Sequence, residues 1–300
     1  MLSLELFAGL LSKLPANCSL VLVGDPNQLS SVGTGNLIPE LLELGCPVTR
    51  LERQYRQSDN ESALFYNVVN YPKLSDSEEL KFDDSFQLIP ASEGDIFKVI
   101  QEEAVKRYLA GENVQVIATT RADVKKLNEA LQQVVNPPAE GKAEVTHNGI
   151  TVRENDRTMI LKNNREERCF NGDIGTAHVE PMEGGSAFIH IPLSANRQPK
   201  FFSAKIGSTL ALAYALTVHK SQGSQYDTVI MPASTDCQKM LRRNLFYTAI
   251  SRAKSRSSLL EVRRRSTSQW SRHRSRARVC WSSRRTRRCT LPHELQISCY

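Results

Sequence analysis

The stretch Ser19-Leu-Val-Leu-Val-Gly-Asp-Pro-Asn-Gln28 decides the fold class, because a short, continuously apolar run ends abruptly in a polar loop. Such a run predicts a strand buried on both faces, as in a parallel sheet. Open α/β sheets bind ligands beyond the carboxyl ends of their strands. We therefore expect Gln28 to reach the terminal phosphate of a nucleotide, or an attacking water. The alternative is a plain turn, for which Asp-Pro-Asn is well suited.

Alternating helical and strand patterns continue the α/β organisation over most of the chain. Helices are expected over Leu4–Leu14, Leu37–Leu44, Ser62–Asn70, Ile96–Leu109 and Ala122–Gln133, and strands over Phe86–Ile89 and Val114–Ala118. Helical and strand patterns resume with a helical stretch over Leu210–Val218, then Thr228–Met231 and Arg242–Ser251.

Between Gly149 and Phe202 the pattern changes to short β-type runs separated by turn residues, as at Asn171-Gly-Asp173. This predicts a small β-barrel inserted into an α/β domain. The expected division is a carboxyl-terminal fragment of a first α/β domain over 1–48, a second α/β domain over 49–148 and 203–254, the insertion over 149–202, and a tail over 255–300.

Charge separates the tail from the rest of the chain. The net charge of the protein is +7, but 255–300 carries twelve Arg, no Lys and two Glu, or +10, which leaves −3 for 1–254. The tail is rich in Arg and Ser without helical or strand period, so we expect it to be disordered. Out-of-frame translation explains the abrupt change at Lys254; the alternative is an Arg/Ser arm that binds nucleic acid without sequence preference.

The remaining bulk features predict an ordinary cytoplasmic protein without a membrane contact. No basic segment precedes an apolar run near Met1, and no apolar run approaches the length of a membrane span. Cys18, Cys46, Cys169 and Cys237 are scattered singly, without metal-ligand spacing, and are expected to be buried small hydrophobes. Accordingly, no metal site is expected, and Cys169→Ser is expected to have little effect.

Two arginines are candidates for phosphate chemistry. Arg56 ends Leu51-Glu-Arg-Gln-Tyr-Arg56, and Arg252 lies in Tyr247-Thr-Ala-Ile-Ser-Arg-Ala-Lys254. A guanidinium group matches phosphate oxygens and holds developing charge. The alternatives are a solvated helix start for Arg56 and a solvated helix residue for Arg252.

The stretch Thr217-Val-His-Lys-Ser-Gln-Gly-Ser224 has an unusual composition for a strand end opening into a helix. A glycine beside hydroxyl, amide and ammonium donors suits a site for a nucleic-acid phosphate or a nucleotide. A structural role alone does not readily explain His, Lys, Ser, Gln and Gly together.

In order and spacing, these four stretches resemble the later motifs of superfamily 1 helicases. Within that superfamily, Gly24-Asp-Pro-Asn-Gln-Leu-Ser-Ser-Val-Gly-Thr-Gly35 and Phe170-Asn-Gly-Asp-Ile-Gly175 resemble motifs of RecD-like enzymes, the exodeoxyribonuclease V alpha chain and its relatives. The second of these is similar to the first strands of their SH3-like insertion. The resemblance covers about residues 1–254 and implies two RecA-like domains, the first present only as a fragment.

The resemblance implies ATP hydrolysis coupled to 5′→3′ movement on single-stranded DNA, and so to unwinding. Single- and double-stranded DNA and other helicase–nuclease subunits are the implied partners. The implied roles are catalytic for Gln28, Arg56 and Arg252, nucleotide-binding for Gly24, Asp25, Gly223 and Gln225, and DNA-binding for Thr217, His219, Lys220, Ser221 and Gln222. Gln225 departs from the family, where Glu is frequent.

ATP and Mg²⁺ are the cofactors of the intact family, but the chain lacks the motifs that hold them there. The nearest glycine cluster to a G-x-x-x-x-G-K-[ST] loop is Gly33-Thr-Gly35, without a following Lys-Ser/Thr. Met1-Leu-Ser-Leu4 resembles the end of the family's Asp-Glu-Ala-Ser-Met run, so the magnesium site is not expected in this chain. We therefore expect the chain to be inactive alone.

Three alternatives stay open: a non-enzymatic DNA-binding remnant, a half-motor completed by another chain, and an RNA-binding protein. A missing aromatic platform argues against RNA binding.

Overall fold

In a computed structural model, the described residues are 2–31, 33, 35–51, 53–57, 59–73, 79–92, 94–233 and 243–263. Their helices are α1 (Leu4–Leu11), α2 (Leu37–Glu43), α3 (Ala63–Asn70), α4 (Ile96–Leu109), α5 (Arg121–Val135) and α6 (Arg243–Ile250). Their strands are β1 (Phe86–Ser92), β2 (Val114–Ala118), β3 (Glu144–His147), β4 (Ile150–Arg153), β5 (Arg157–Ile160), β6 (Ile174–Thr176), β7 (His178–Pro181), β8 (Ala187–His190), β9 (Lys200–Phe202), β10 (Leu210–Leu212), β11 (Ala215–Thr217), β12 (Tyr226–Ala233) and β13 (Ala253–Arg263).

A parallel sheet in the order β1-β13-β12-β2-β11 forms the centre of the α/β part. Successive side chains of a strand point to opposite faces of the sheet. Met231 and Leu259 therefore pack with α3 and α6 on one face, whereas Ile230 and Leu260 pack with α4 and α5 on the other. Helices thus cover both faces of the sheet, and the predicted α/β class with a parallel sheet is confirmed.

Three small antiparallel sheets, β3-β4, β10-β5-β6 and β7-β8-β9, make up the β-rich part. They share one core that includes Val152, Ile160, Ile189 and Leu210. The strands run from Glu144 to Leu212, so the predicted bounds of 149–202 are too narrow at both ends. The reason is pairing: β3 completes a hairpin with β4, and β10 completes the ladder of β5.

The predicted buried strand over 19–23 is wrong for this structure. Val21 and Val23 are exposed, and no strand of the described residues pairs with this segment. Without a neighbouring ladder its backbone has no sheet partner, and Leu20 and Leu22 pack instead on the cluster that α1 and α2 form. The segment still leads into the loop at Gly24.

The helix expected over Leu210–Val218 is also wrong. This stretch forms β10 and β11, with Ala213 and Tyr214 between them. Six of its hydrophobic residues have no more than 2% exposure: Leu210, Ala213, Tyr214, Ala215, Leu216 and Val218. Burial on every side removes the polar face that distinguishes a helix from a strand in a sequence.

The expected tail boundary at Ser255 is too early. β13 continues to Arg263 and pairs with β1 on one side and with β12 on the other. Ser257, Ser258, Leu259 and Leu260 are all buried, so the first part of the expected tail is an inner strand of the sheet. The predictions of disorder and of an out-of-frame origin concern, for 264–300, residues outside the described part of the chain.

Cys169 matches the expected small buried hydrophobe, since it lies fully buried in the β-rich core and burial raises the pKa of its thiol. Cys46 is half-buried and Cys18 is exposed, so the expectation is wrong for Cys18; Cys237 lies outside the described residues.

Complete burial changes the expectation for Cys169→Ser. A hydroxyl loses more hydration than a thiol in a fully buried site, so the change should lower the free energy of unfolding by about 1–3 kcal/mol. Chemical denaturation should show this loss, and Cys18→Ser at the exposed site is the matched control. Equal unfolding free energies for the two variants would contradict the described core.

Candidate functional site

One face of α6 joins the Gly24–Leu29 loop to the α/β part. Asn244, Tyr247 and Thr248 lie on this face at helical spacing. The Asn244 side chain donates to the Gln28 carbonyl at 3.2 Å, and the Thr248 hydroxyl accepts from the Leu29 backbone N–H at 3.0 Å. The loop is therefore held by side chains from the motif that contains Arg252.

Asp25 is the centre of this loop. Its Oδ2 accepts hydrogen bonds from Gln28 Nε2 at 3.0 Å and from the Tyr247 hydroxyl at 3.1 Å, while Oδ1 accepts from the Asn27 N–H at 2.9 Å. Burial, followed by the charge and the hydrogen bond of Asp25, raises the pKa of Tyr247 to about 12. The Gln28 side chain is thus oriented by Asp25 at the mouth of the loop.

Arg252 lies between the end of α6 and the start of β13 and is only 3% exposed. Its guanidinium donates to the Thr248 carbonyl at 3.1 Å, the Ser251 hydroxyl at 3.1 Å and the Ser224 carbonyl at 3.5 Å. Burial first, and then the nearby charge of Arg56, lower its pKa to about 10, against the opposing effect of Tyr247 and Asp25. At neutral pH the Arg252 guanidinium is therefore positively charged, and Asp25 offsets this charge only in part.

Arg56 approaches Arg252 from a different part of the chain. Its guanidinium donates to the Ser251 carbonyl, and its side chain is partly exposed. Residues 53–57 are not helical, so the alternative of a solvated helix start does not describe Arg56. Arg252 therefore has a second guanidinium, Arg56, and one carboxylate, Asp25, among its charged neighbours, and this excess of positive charge favours an anion.

The turn after β11 carries the predicted DNA-binding residues. His219 and Lys220 are exposed. Partial desolvation of the Lys220 ammonium, followed by the charge of Arg121, lowers the pKa of Lys220. Ser221 is fully buried and its hydroxyl donates to the Val218 carbonyl at 2.8 Å, so Ser221 shapes the turn. Residues 218–223 form turns rather than the expected helix start, with Gly223 at a φ of +84° that favours glycine.

The turn returns to the loop at Gln222 and Ser224. Gln222 lines a cavity of about 240 Å³ together with Gly24, Asp25 and Gln28. The Ser224 carbonyl accepts from Arg252, as described above. Gln225 is exposed. Of the predicted DNA-binding residues, Gln222 thus lies beside the loop, whereas His219 and Lys220 are exposed.

The described residues fit an anion better than a divalent cation. No group of three or more His, Cys, Asp or Glu close enough to hold a metal occurs among them. The carboxylate at the site, Asp25, is engaged by Tyr247 and Gln28. Arg56 and Arg252, by contrast, suit a phosphate.

Sequence reasoning missed Tyr247, Asn244 and Thr248 as site residues. The available signal was the spacing i, i+3, i+4 of polar residues in an otherwise apolar helix, together with Ser251 one turn later. Each of these side chains reaches a partner more than two hundred positions away or at the helix end, which a local pattern does not reveal.

Three sequence families match separate parts of the chain: the AAA domain at 1–70, the ATP-dependent RecD-like DNA helicase SH3 domain at 127–184, and the UvrD-like helicase C-terminal domain at 212–260. The chain is thus similar to RecD-like superfamily 1 helicases. The last match extends past Lys254 into β13, in agreement with the corrected end of the sheet.

Two curated relatives of this chain are considerably longer than the chain itself. The RecBCD enzyme subunit RecD of Mycolicibacterium smegmatis is 26% identical, over 85% of this chain and 47% of its own length. The ATP-dependent RecD2 DNA helicase of Deinococcus radiodurans is 29% identical, over 84% of this chain and 34% of its own. The chain therefore spans a third to a half of these relatives.

Among solved structures, the chain is similar to the Pif1 helicase from Bacteroides in complex with ADP-AlF3 and ssDNA. That likeness has 18% identity and a TM-score of 0.45, and covers 79% of this chain and 60% of the other.

Among the described residues, no helix is both long and apolar enough to cross a bilayer.

Proposed function

We propose that the protein is an ATP-dependent 5′→3′ DNA helicase of the RecD type, of which this chain supplies the second RecA-like domain and a fragment of the first. The observation that carries the proposal is the convergence of Arg56 and Arg252 beside the Asp25–Gln28 loop. These groups come from three distant stretches, and their excess positive charge suits the phosphates of ATP.

In this proposal Gln28 senses the γ-phosphate, with its orientation set by Asp25 and Tyr247. Arg56 and Arg252 stabilise charge on the transferring phosphoryl group. Gly24, Asp25, Gly223 and Gln225 lie along the nucleotide. Magnesium would neutralise phosphate charge where the family binds it, and the described residues do not hold it.

DNA is the proposed partner of the turn after β11. His219 and Lys220 are exposed there, and Thr217 and Gln222 flank them; Ser221 would support the turn from below. Other helicase–nuclease subunits are proposed as protein partners, and the cytoplasm as the compartment. We retain 1–48 as the fragment of the first domain, but extend the second domain to Arg263 and the SH3-like part to 144–212.

The purified chain should bind single-stranded DNA without DNA-stimulated ATP hydrolysis, since no phosphate-cradling loop of the Walker type occurs in its sequence. His219→Ala and Lys220→Ala should each weaken binding of a labelled oligo-dT severalfold, and Lys220→Ala should reduce the salt slope by about 0.7. Fluorescence anisotropy across a salt series measures both quantities.

Lys98→Ala is the matched control, because Lys98 is an exposed lysine on α4. Variants are compared in the full chain and in residues 1–263, which separates the turn from the ten arginines that follow Arg263. Unchanged affinity for both turn variants in 1–263 would contradict the DNA role. Robust ATP turnover by the full chain would contradict its expected inactivity.

A further inference from the structure

A row of buried amides on α5 joins the β-rich part to the parallel sheet. Asn128 and Gln132 lie four residues apart on one face of α5, Asn136 follows at its carboxyl end, and each is at least nine-tenths buried. Gln132 donates to the Thr151 carbonyl at 3.0 Å, and Asn136 donates to the Glu154 carbonyl at 3.0 Å. This face therefore binds the backbone between β4 and β5 by hydrogen bonds.

The carboxylate of Asp156 lies at the centre of this row and is fully buried. It accepts from the amides of Gln132 and Asn136, from the Arg153 backbone N–H at 2.7 Å and from the Tyr214 hydroxyl at 2.8 Å. Every one of these neighbours donates, so the site requires an acceptor that carries no proton of its own.

Tyr214 belongs to the two-residue connection between β10 of the β-rich part and β11 of the parallel sheet. The Gln115 amide donates to the Ala213 carbonyl at 3.2 Å and to the Tyr214 carbonyl at 3.0 Å. Asn128 exchanges two hydrogen bonds with the backbone of Ala215, at 2.9 and 3.0 Å. The connection is therefore held by α5, β2 and Asp156.

β11 leads directly into the turn that carries His219 and Lys220. It is the edge strand of the sheet, paired only with β2 among the described strands, so its position depends on side-chain contacts more than that of an inner strand. The contacts of Asp156 and α5 therefore hold β11 in position, as the hydrogen bonds of a second neighbouring strand would.

We propose that Asp156 and Tyr214 are positioning residues for the DNA-binding turn. They fix the connection from the β-rich part into β11, so that both parts move together and the turn keeps its place beside the arginine site. The positioning of β11 is independent of ligand, whereas its consequence for DNA rests on the proposed function.

The test uses Tyr214→Phe in the full 300-residue chain, which removes only the hydroxyl. Backbone hydrogen exchange in Ala215–Thr217 should accelerate about tenfold, the effect of one lost hydrogen bond on local opening, while β8 keeps its rate. Tyr66→Phe on α3 is the matched control. Asp156→Asn should accelerate the same strand further, because the nitrogen of the new amide would face two of the four donors.

Affinity for oligo-dT gives the readout that a merely structural role would not change. Tyr214→Phe should weaken binding about threefold, and this loss should shrink when His219→Ala is already present, because both changes act through one turn. If exchange accelerates equally in β8 and β11, or in neither, the positioning role is overturned. If His219→Ala leaves the affinity for oligo-dT unchanged, the proposed DNA role fails. Hydrogen exchange in β11 then still decides the positioning role.

Discussion

Arg252→Ala should lower DNA-stimulated ATP turnover by about 10³–10⁵-fold in a completed motor, with little change in nucleotide affinity. The completed motor carries the amino-terminal half of a RecD-like relative ahead of Met1, and this chain to Arg263. Removal of a guanidinium that stabilises transferring phosphoryl charge has an effect of this size in comparable enzymes. Steady-state ATPase rates and nucleotide titrations measure the two quantities.

Arg56→Ala should be similarly damaging, since both guanidinium groups bind Ser251, Arg56 through its carbonyl and Arg252 through its hydroxyl. Arg165→Ala, a change at an exposed arginine of the β-rich part, is the control and should keep the parent rate. Should Arg252→Ala hydrolyse ATP at the parent rate in a folded motor, the assignment of this motif is wrong.

Truncation after Lys254 should abolish cooperative unfolding of the chain. It removes nearly all of β13, an inner strand between β1 and β12, and with it the fully buried Leu260. Loss of one buried leucine side chain alone costs about 2–5 kcal/mol, and a domain is stable by only about 5–15 kcal/mol. Thermal unfolding followed by circular dichroism should therefore show no sharp transition.

Truncation after Arg263 is the matched control, because it keeps β13 and removes the remainder of the Arg/Ser-rich sequence. The chain that ends at Arg263 should retain a melting transition. A sharp transition at the same temperature after either truncation would show that β13 contributes nothing, contrary to its pairing on both sides.

The sequence predicts best those elements in which burial on one face leaves a regular spacing of apolar residues. Ile96–Leu109 and Val114–Ala118 form as predicted, and Arg121–Val135 exceeds its prediction by one residue at the start and two at the end. These helices have one polar face in solvent, and β2 is short, apolar and bounded by polar residues.

Elements that depend on distant partners were not predictable in the same way. β13 contains Ser, Arg and Glu, which argue for solvent, yet its inner position comes from β1 and β12. Conversely, 19–23 has the composition of a buried strand, but within the described residues it lacks a ladder to join. Tertiary context decides both segments.

At the candidate site, sequence identified the groups that carry charge but not those that orient them. Arg56, Arg252 and Gln28 were chosen for their chemistry, and the structure places them together with Asp25. The role of Tyr247 depends on its contact with Asp25, which lies 222 positions away in the sequence.

Affinity for ADP–aluminium fluoride, compared with affinity for ADP, tests the central claim most directly in the completed motor. A transition-state analogue reports interactions that strengthen as charge develops. Arg56→Ala and Arg252→Ala should each weaken ADP–aluminium fluoride binding by at least about a hundredfold, with ADP affinity within about threefold of the parent. Equal losses for both ligands, or no loss for either, would contradict a site in which these two arginines stabilise the transferring phosphoryl group.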